Sequence, residues 1–181
     1  MEIRESFIKG LVEITPKIFK DERGYFFESF SKRALQQAGI YEEFVQDNQS
    51  FSTPGVIRGL HFQRAPFGQA KLVRVVKGKA LDVAVDLRKG SPTFGQYDSV
   101  ILDAEKNNMF YVPDGFAHGF SALEETVLLY KCTNFYNKES ECGIRFDDPQ
   151  LKINWCVNTP LVSDKDKELK FLADLIAEGI V

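Results

Sequence analysis

The sequence predicts a mainly β domain, a sandwich or barrel, with short helices near its ends. Three observations lead there. Short strand candidates recur at close spacing through the middle of the chain, with turn signals between them. Helical periodicity is confined to an early segment and the tail. No glycine-rich loop joins a strand to a helix: neither GxGxxG nor GxxxxGK[ST] occurs, which argues against an alternating α/β nucleotide-binding fold. The 16 phenylalanines and 6 tyrosines suit strands and a cleft with flat walls.

The elements follow in chain order. Ser31 is placed to cap a short helix through Ala38, stopped by Gly39. Residues 71–76 form an apolar run interrupted by Arg74, and Lys77-Gly78-Lys79 reads as a turn. Residues 81–87 alternate: Leu81, Val83, Val85 and Leu87 point one way, Asp82, Ala84 and Asp86 the other. That second face is either wet or the lining of a polar pocket. Residues 100–102, 109–112 and 126–132 are further strands. Lys89-Gly90-Ser91-Pro92, Asn107-Asn108 and Pro113-Asp114-Gly115 are turns. Across 164–177, Leu169, Leu172, Ala173 and Ile176 mark one face of a terminal helix. No repeat or linker interrupts the chain, so 1–181 reads as a single domain.

Composition narrows the function. Hydrophobic residues at 44% and charged residues at 27% describe a soluble globular protein. A net charge of -3 gives no global attraction to nucleic acid or an anionic membrane, yet a few arginines in one pocket suffice for an anionic small molecule. No run of eighteen apolar residues and no signal-peptide pattern occurs, and the odd trio Cys132, Cys142 and Cys156 contains no CxxC pair. The expectation is a cytoplasmic protein without a disulfide framework.

The candidate chemistry centres on two histidines. His61 and His118 both lie in glycine-flanked apolar stretches, RGLHFQ and GFAHGF. Each is either a satisfied structural histidine or a general base working near neutral pH. A metal site of two histidines and a carboxylate is arithmetically open, although neither HExxH nor HxH occurs, and no GxSxG elbow is present. Lys71, at the start of a strand, faces a cavity or solvent. Tyr130 shares a face with Thr126 and Leu128, as a core aromatic or as a phenolic proton donor. Asp166 stands three residues after Ser163, the spacing of a helix cap. Its alternative role is to accept the Nδ1 proton of a histidine and fix the tautomer. Arg23 and Arg58 suit phosphate oxygens, and Phe19 or Phe26 suits a flat base.

The ordered stretches FKDERGYFFESF, FVQDNQS, VIRGLHFQ, KLVRVVKGKALDVAVDLRKGSPTFGQ, VPDGFAHGF, LYKCTNFY and SDKD span nearly the whole chain. Together they resemble the dTDP-4-dehydrorhamnose 3,5-epimerase family. The resemblance implies a cupin-type double-stranded β-helix, or jelly roll, with short terminal helices. It implies a homodimer whose N-terminal segment reaches the neighbouring site, and no metal or organic cofactor. By the same resemblance His61 is the general base oriented by Asp166, Tyr130 the general acid, and Lys71 the group facing the C4 oxygen of a dTDP-linked 4-keto-6-deoxyhexose. His118 matches a supporting histidine and Tyr136 a pocket tyrosine. Arg23, Glu28, Gln46, Asn48 and Arg58 match positions that hold the nucleotide diphosphate, and Phe19 and Phe26 fall in the segment associated with the base. The implied reaction is epimerisation at C3 and C5. A C3-only epimerase and a non-catalytic sugar-nucleotide binding module are the alternatives.

Overall fold

A computed structural model describes residues 1–181. Strand labels follow chain order. One sheet runs β1 (Glu2–Glu5), β2 (Val12–Thr15), β10 (Met109–Val112), β7 (Lys71–Lys77), β12 (Thr126–Cys132), β5 (Gln46–Ser52). The other runs β13 (Glu141–Gly143), β6 (Val56–Gln63), β11 (Phe116–Ala122), β8 (Lys79–Asp86), β9 (Tyr97–Asp103). β14 (Leu161–Val162) adds to β6 in parallel. Every other strand pairing is antiparallel, including the detached hairpin of β3 (Phe19–Asp21) and β4 (Gly24–Phe26). This is the mainly β, cupin-type jelly roll.

The sheets close on a shared core. Val73, Val75, Phe110, Val112 and Leu128 from the first meet Ala84, Val100, Leu102, Phe116 and Phe120 from the second. Phe110 is 1% exposed; truncating such a side chain to alanine costs about 3–5 kcal/mol. A second core covers the outer face of β8 and β11, where Val83, Val85 and Ala117 meet Ile144, Leu151, Trp155, Leu172 and Leu175 from the C-terminal segment. The alternation in 81–87 therefore separates two interiors. The face of Asp82, Ala84 and Asp86 is not wet: Ala84 joins the inner core and both aspartates are fully buried. Asp82 meets the polar pocket only through His118, to which it is bonded. Asp86 closes a strand-end network with Arg88, Ser91 and Thr93.

The early helix forms as expected. α1 (Lys32–Gln37) starts at Ser31, whose hydroxyl accepts from Ala34 N, and Gly39 follows it in the left-handed region at φ 79°. The expected single tail helix is corrected: it divides into α2 (Asp164–Lys167) and α3 (Leu172–Ala177). Lys170 leaves the helix to bridge Ile144, and the Asp174 side chain accepts from Phe171 N to start α3 afresh. The buried positions of α3 are Leu172 and Leu175; Ile176 stays 44% exposed.

Two glycines bring the histidine strands together. A Cβ on Gly59, at φ 109°, would lie 2.7 Å from the carbonyl oxygen of His118, and one on Gly119 would lie 2.6 Å from that of Arg58. Only glycine permits this approach of β6 and β11. It is the structural reason that both histidines sit beside glycines.

Candidate active site

His61 on β6 and His118 on β11 are direct cross-strand partners, so their side chains leave one face of the second sheet as neighbours. Each holds a carboxylate. His61 Nε2 lies 2.8 Å from Asp166 Oδ1, and the other Asp166 oxygen accepts from Gly59 N at 3.1 Å. His118 Nε2 lies 2.8 Å from Asp82 Oδ1.

The two roles considered for Asp166 separate here. Ser163 caps α2 by accepting from the backbone N–H of Asp166 at 3.1 Å, while the Asp166 carboxylate points away to His61. Burial works against its charged form, but His61 and the Gly59 N–H outweigh it and hold Asp166 below the usual aspartate range. The expected ring nitrogen is corrected. The contact to Asp166 is made by Nε2 rather than Nδ1, and because a carboxylate only accepts, Nε2 is the donor in it. The cause is reach: Asp166 approaches the tip of a ring that β6 projects inward.

The first sheet supplies the opposite wall. Lys71 shares the inner face of β7 with Val73 and Val75, and Tyr130 shares that of β12 with Leu128. The Lys71 ammonium lies 5.9 Å from the Tyr130 ring centroid and has no ion pair or side-chain hydrogen bond within the protein. Burial lowers Lys71 below the ordinary lysine value, opposed by the charges of Asp82 and Glu141. Burial raises Tyr130 above the ordinary tyrosine value, so its phenol keeps its proton at neutral pH. Asn48 stands opposite Tyr130 on β5, with Gln46 on the same face two residues before it. Arg58 is steadied by Ser52 Oγ at 3.1 Å and the carbonyl of Phe51 at 3.0 Å. One cavity is lined by Asn48, Arg58, His61, Lys71, His118, Tyr130 and Asp166. A second, adjoining cavity shares Asn48, His61, Lys71 and Tyr130 with it and leads out past Gln46, Glu141 and the exposed Tyr136.

The chain as a whole is similar to known proteins. The family model described as dTDP-4-dehydrorhamnose 3,5-epimerase matches residues 5–174. The Shigella flexneri protein of that name is 49% identical over 92% of this chain and 93% of its own. A Legionella pneumophila dTDP-6-deoxy-D-glucose-3,5-epimerase, solved in complex with dTDP-4-keto-L-rhamnose, is 48% identical with TM-score 0.92, covering 98% of this chain and 95% of that one. A 3'-monoepimerase from Streptomyces bikiniensis, solved in complex with dTDP-quinovose, is 36% identical with TM-score 0.91, covering 97% and 90%. The chain belongs to the dTDP-4-dehydrorhamnose 3,5-epimerase family.

Four expected residues lie apart from this epimerase-family cavity within one chain. Phe19 and Phe26 face each other across the β3–β4 hairpin, 53% and 66% exposed, and Arg23 in its turn pairs with Asp21 at 2.6 Å. Glu28 lines a groove with Phe19, Phe30 and Met109. His61, Lys71, Tyr130, Asp166, His118, Gln46, Asn48, Arg58 and Tyr136 do converge. The sequence reading missed Glu141 and Lys165. Glu141 accepts from the Tyr136 hydroxyl and from Lys165, each at 2.8 Å. Although burial opposes it, those partners hold Glu141 below the usual glutamate range. No spacing signal marks it, because β13 meets β6 across some eighty residues of chain, with Glu141 opposite Gln63. Lys165 had a weak signal, its place beside Asp166 in SDKD.

Proposed function

We propose that the chain converts dTDP-4-dehydro-6-deoxy-α-D-glucose to dTDP-4-dehydro-β-L-rhamnose by inverting C3 and C5. The observation that carries this reading is the pair of opposed walls: a histidine–aspartate base on one sheet, a protonated tyrosine on the other, and an unpaired ammonium beside the tyrosine. The C4 ketone acidifies the protons on C3 and C5. His61 takes one through Nδ1, and the Asp166 carboxylate balances the imidazolium that forms. Charge moves to the C4 oxygen, where the Lys71 ammonium stabilises it. Tyr130 returns a proton to the opposite face and the centre inverts. His61 then releases its proton to water and Tyr130 regains one, which resets the site for the second carbon. The ketone is already present, so the reaction as proposed draws on no cofactor. Incubation with the keto sugar nucleotide in deuterated water, coupled to an NADPH-dependent reductase, should label C3 and C5 and yield the L-rhamno product. Folded protein that exchanges neither carbon overturns the proposal.

Likeness to the Streptomyces bikiniensis 3'-monoepimerase favours a second reading, inversion of C3 alone. Stable label confined to C3 would select it.

The working unit in this proposal is a homodimer. The hairpin with Phe19, Arg23 and Phe26 is exposed and outside its own cavity, which fits delivery of a flat ring and a guanidinium to a neighbour's site. Sedimentation should give twice the 20.6 kDa chain mass. A monomer with full activity contradicts the shared site.

A further inference from the structure

Three glutamine side chains converge on one short stretch of backbone at the cavity mouth. Gln63, 8% exposed and two residues beyond His61 on β6, donates through Nε2 to the carbonyls of Phe67 at 2.6 Å and Phe135 at 3.2 Å. Its Oε1 accepts from Asn137 N at 2.7 Å. Gln69, two residues before Lys71, donates to the carbonyl of Asn134 at 2.7 Å. Gln46 on β5 accepts from Tyr136 N at 3.3 Å. The segment 134–137 is thus held from three sides by amides, and it belongs to no strand or helix. It carries Tyr136, whose ring is at the mouth and whose hydroxyl is anchored on Glu141.

We propose that Gln63, aided by Gln69, is a positioning residue for substrate recognition: it fixes the 134–137 backbone so that Tyr136 presents a set surface at the entrance. The inference rests on the proposed epimerase reading for its substrate and adds residues to which that reading gives no part. An amide suits the task because one group supplies both donors and an acceptor. Segment 134–137 has no ladder partners of its own, so without the glutamines the Asn134 and Phe135 carbonyls and the Tyr136 and Asn137 N–H groups lose their protein partners. Ordering a recognition loop before the ligand arrives removes that cost from binding. The effect therefore falls on substrate capture, while His61 and Tyr130 keep their chemistry.

The test is a double-mutant cycle between Gln63→Leu and Tyr136→Ala, measured as KM and kcat on the keto sugar nucleotide with melting curves alongside. Gln63→Leu should raise KM about tenfold, with kcat within about threefold of the parent. In the Tyr136→Ala background the same change should add almost nothing to KM, because the side chain being positioned is gone. If Gln63→Leu does not fold, Gln69→Leu, which removes one hydrogen bond nearer the surface, enters the same cycle with a smaller rise in KM expected. Equal rises in KM in both backgrounds overturn the proposal, as does a fall in kcat at unchanged KM. Parent protein without turnover overturns the epimerase reading and this inference together, whereas an active parent with additive effects overturns this inference alone.

Discussion

The two histidine–carboxylate pairs are chemically alike and sit side by side, yet their surroundings differ. Both have an N–O distance of 2.8 Å, but the His61 side chain is 31% exposed and that of His118 7%. Asp166 uses both oxygens, one on His61 and one on Gly59 N–H. Asp82 is fully buried and its Oδ2 has no hydrogen-bond partner. Burial pushes His118 below the ordinary histidine value, against the pull of Asp82. A base must reach substrate and must be able to become a cation. His61 has the access and a fully braced counter-charge; His118 is walled in, which suits a fixed group in the cavity lining. In the proposed reaction, environment rather than residue type divides the two roles.

The largest expected effect breaks the exposed pair. Asp166→Asn should lower kcat by at least about 100-fold, roughly 2.7 kcal/mol of transition-state stabilisation, with little change in KM. An amide cannot balance the imidazolium, and it can turn its NH₂ toward the ring and favour the wrong tautomer. His61→Asn should be as damaged, and the double variant little worse than either single one. Because Ser163 caps α2 through a backbone group, the cap survives Asp166→Asn, and the fall in stability at neutral pH should be modest, confined to the weakened His61 and Gly59 contacts. Near-normal turnover in this variant would leave Asp166 without a part in the reaction.

Breaking the buried pair should cost less. Asp82→Asn removes a charge that supports Lys71 without touching the base, and a loss of about tenfold in kcat is expected. A loss matching that of Asp166→Asn would erase the distinction between the pairs.

Acid titration sharpens the contrast within the exposed pair. The folded-state pKa of Asp166 is depressed, so its contribution to stability is present above its unfolded value of about 3.9 and lost as pH falls through the folded value. The stability gap between parent and Asp166→Asn should therefore narrow in acid below about pH 4. Denaturant melts across that range check it; a gap that widens in acid contradicts the assigned ionisation.

The smallest effect on activity is expected at Asp86, on the same strand as Asp82. Arg88, Ser91 and Thr93 hold its carboxylate well below the usual range despite burial. Asp86→Ala should cost about 2–4 kcal/mol of stability in denaturant melts, leaving kcat near the parent value.

These contrasts also show what was legible in the sequence. The strands at 71–76, 81–87, 100–102, 109–112 and 126–132 were visible because apolar runs or alternation marked them. β6 and β11, which carry the histidines, did not read as strands. β11 is buried along its whole length, so no polar face alternates, and glycines interrupt both. The tail helix failed because tertiary hydrogen bonds at Lys170 and Phe171 overrode a continuous helical period. His61, Tyr130, Lys71 and Asp166 stood out as candidates by residue type and position, and motif resemblance, which carries long-range geometry that periodicity lacks, gave them their roles. Glu141, Lys165 and the role of Gln63 depend on which strands and loops meet across the barrel, and local patterning does not encode that.

The division of labour between the two walls is tested most directly by comparing Tyr130→Phe with His61→Asn in deuterated water, following label at C3 and C5 of the keto sugar nucleotide alongside net epimerisation. Tyr130→Phe removes the returning proton and keeps the base, so label should still enter while inverted product falls by at least about 100-fold. His61→Asn should lose label and product together. Label lost as completely in Tyr130→Phe as in His61→Asn, or label surviving without His61, would contradict a base on one sheet and an acid on the other.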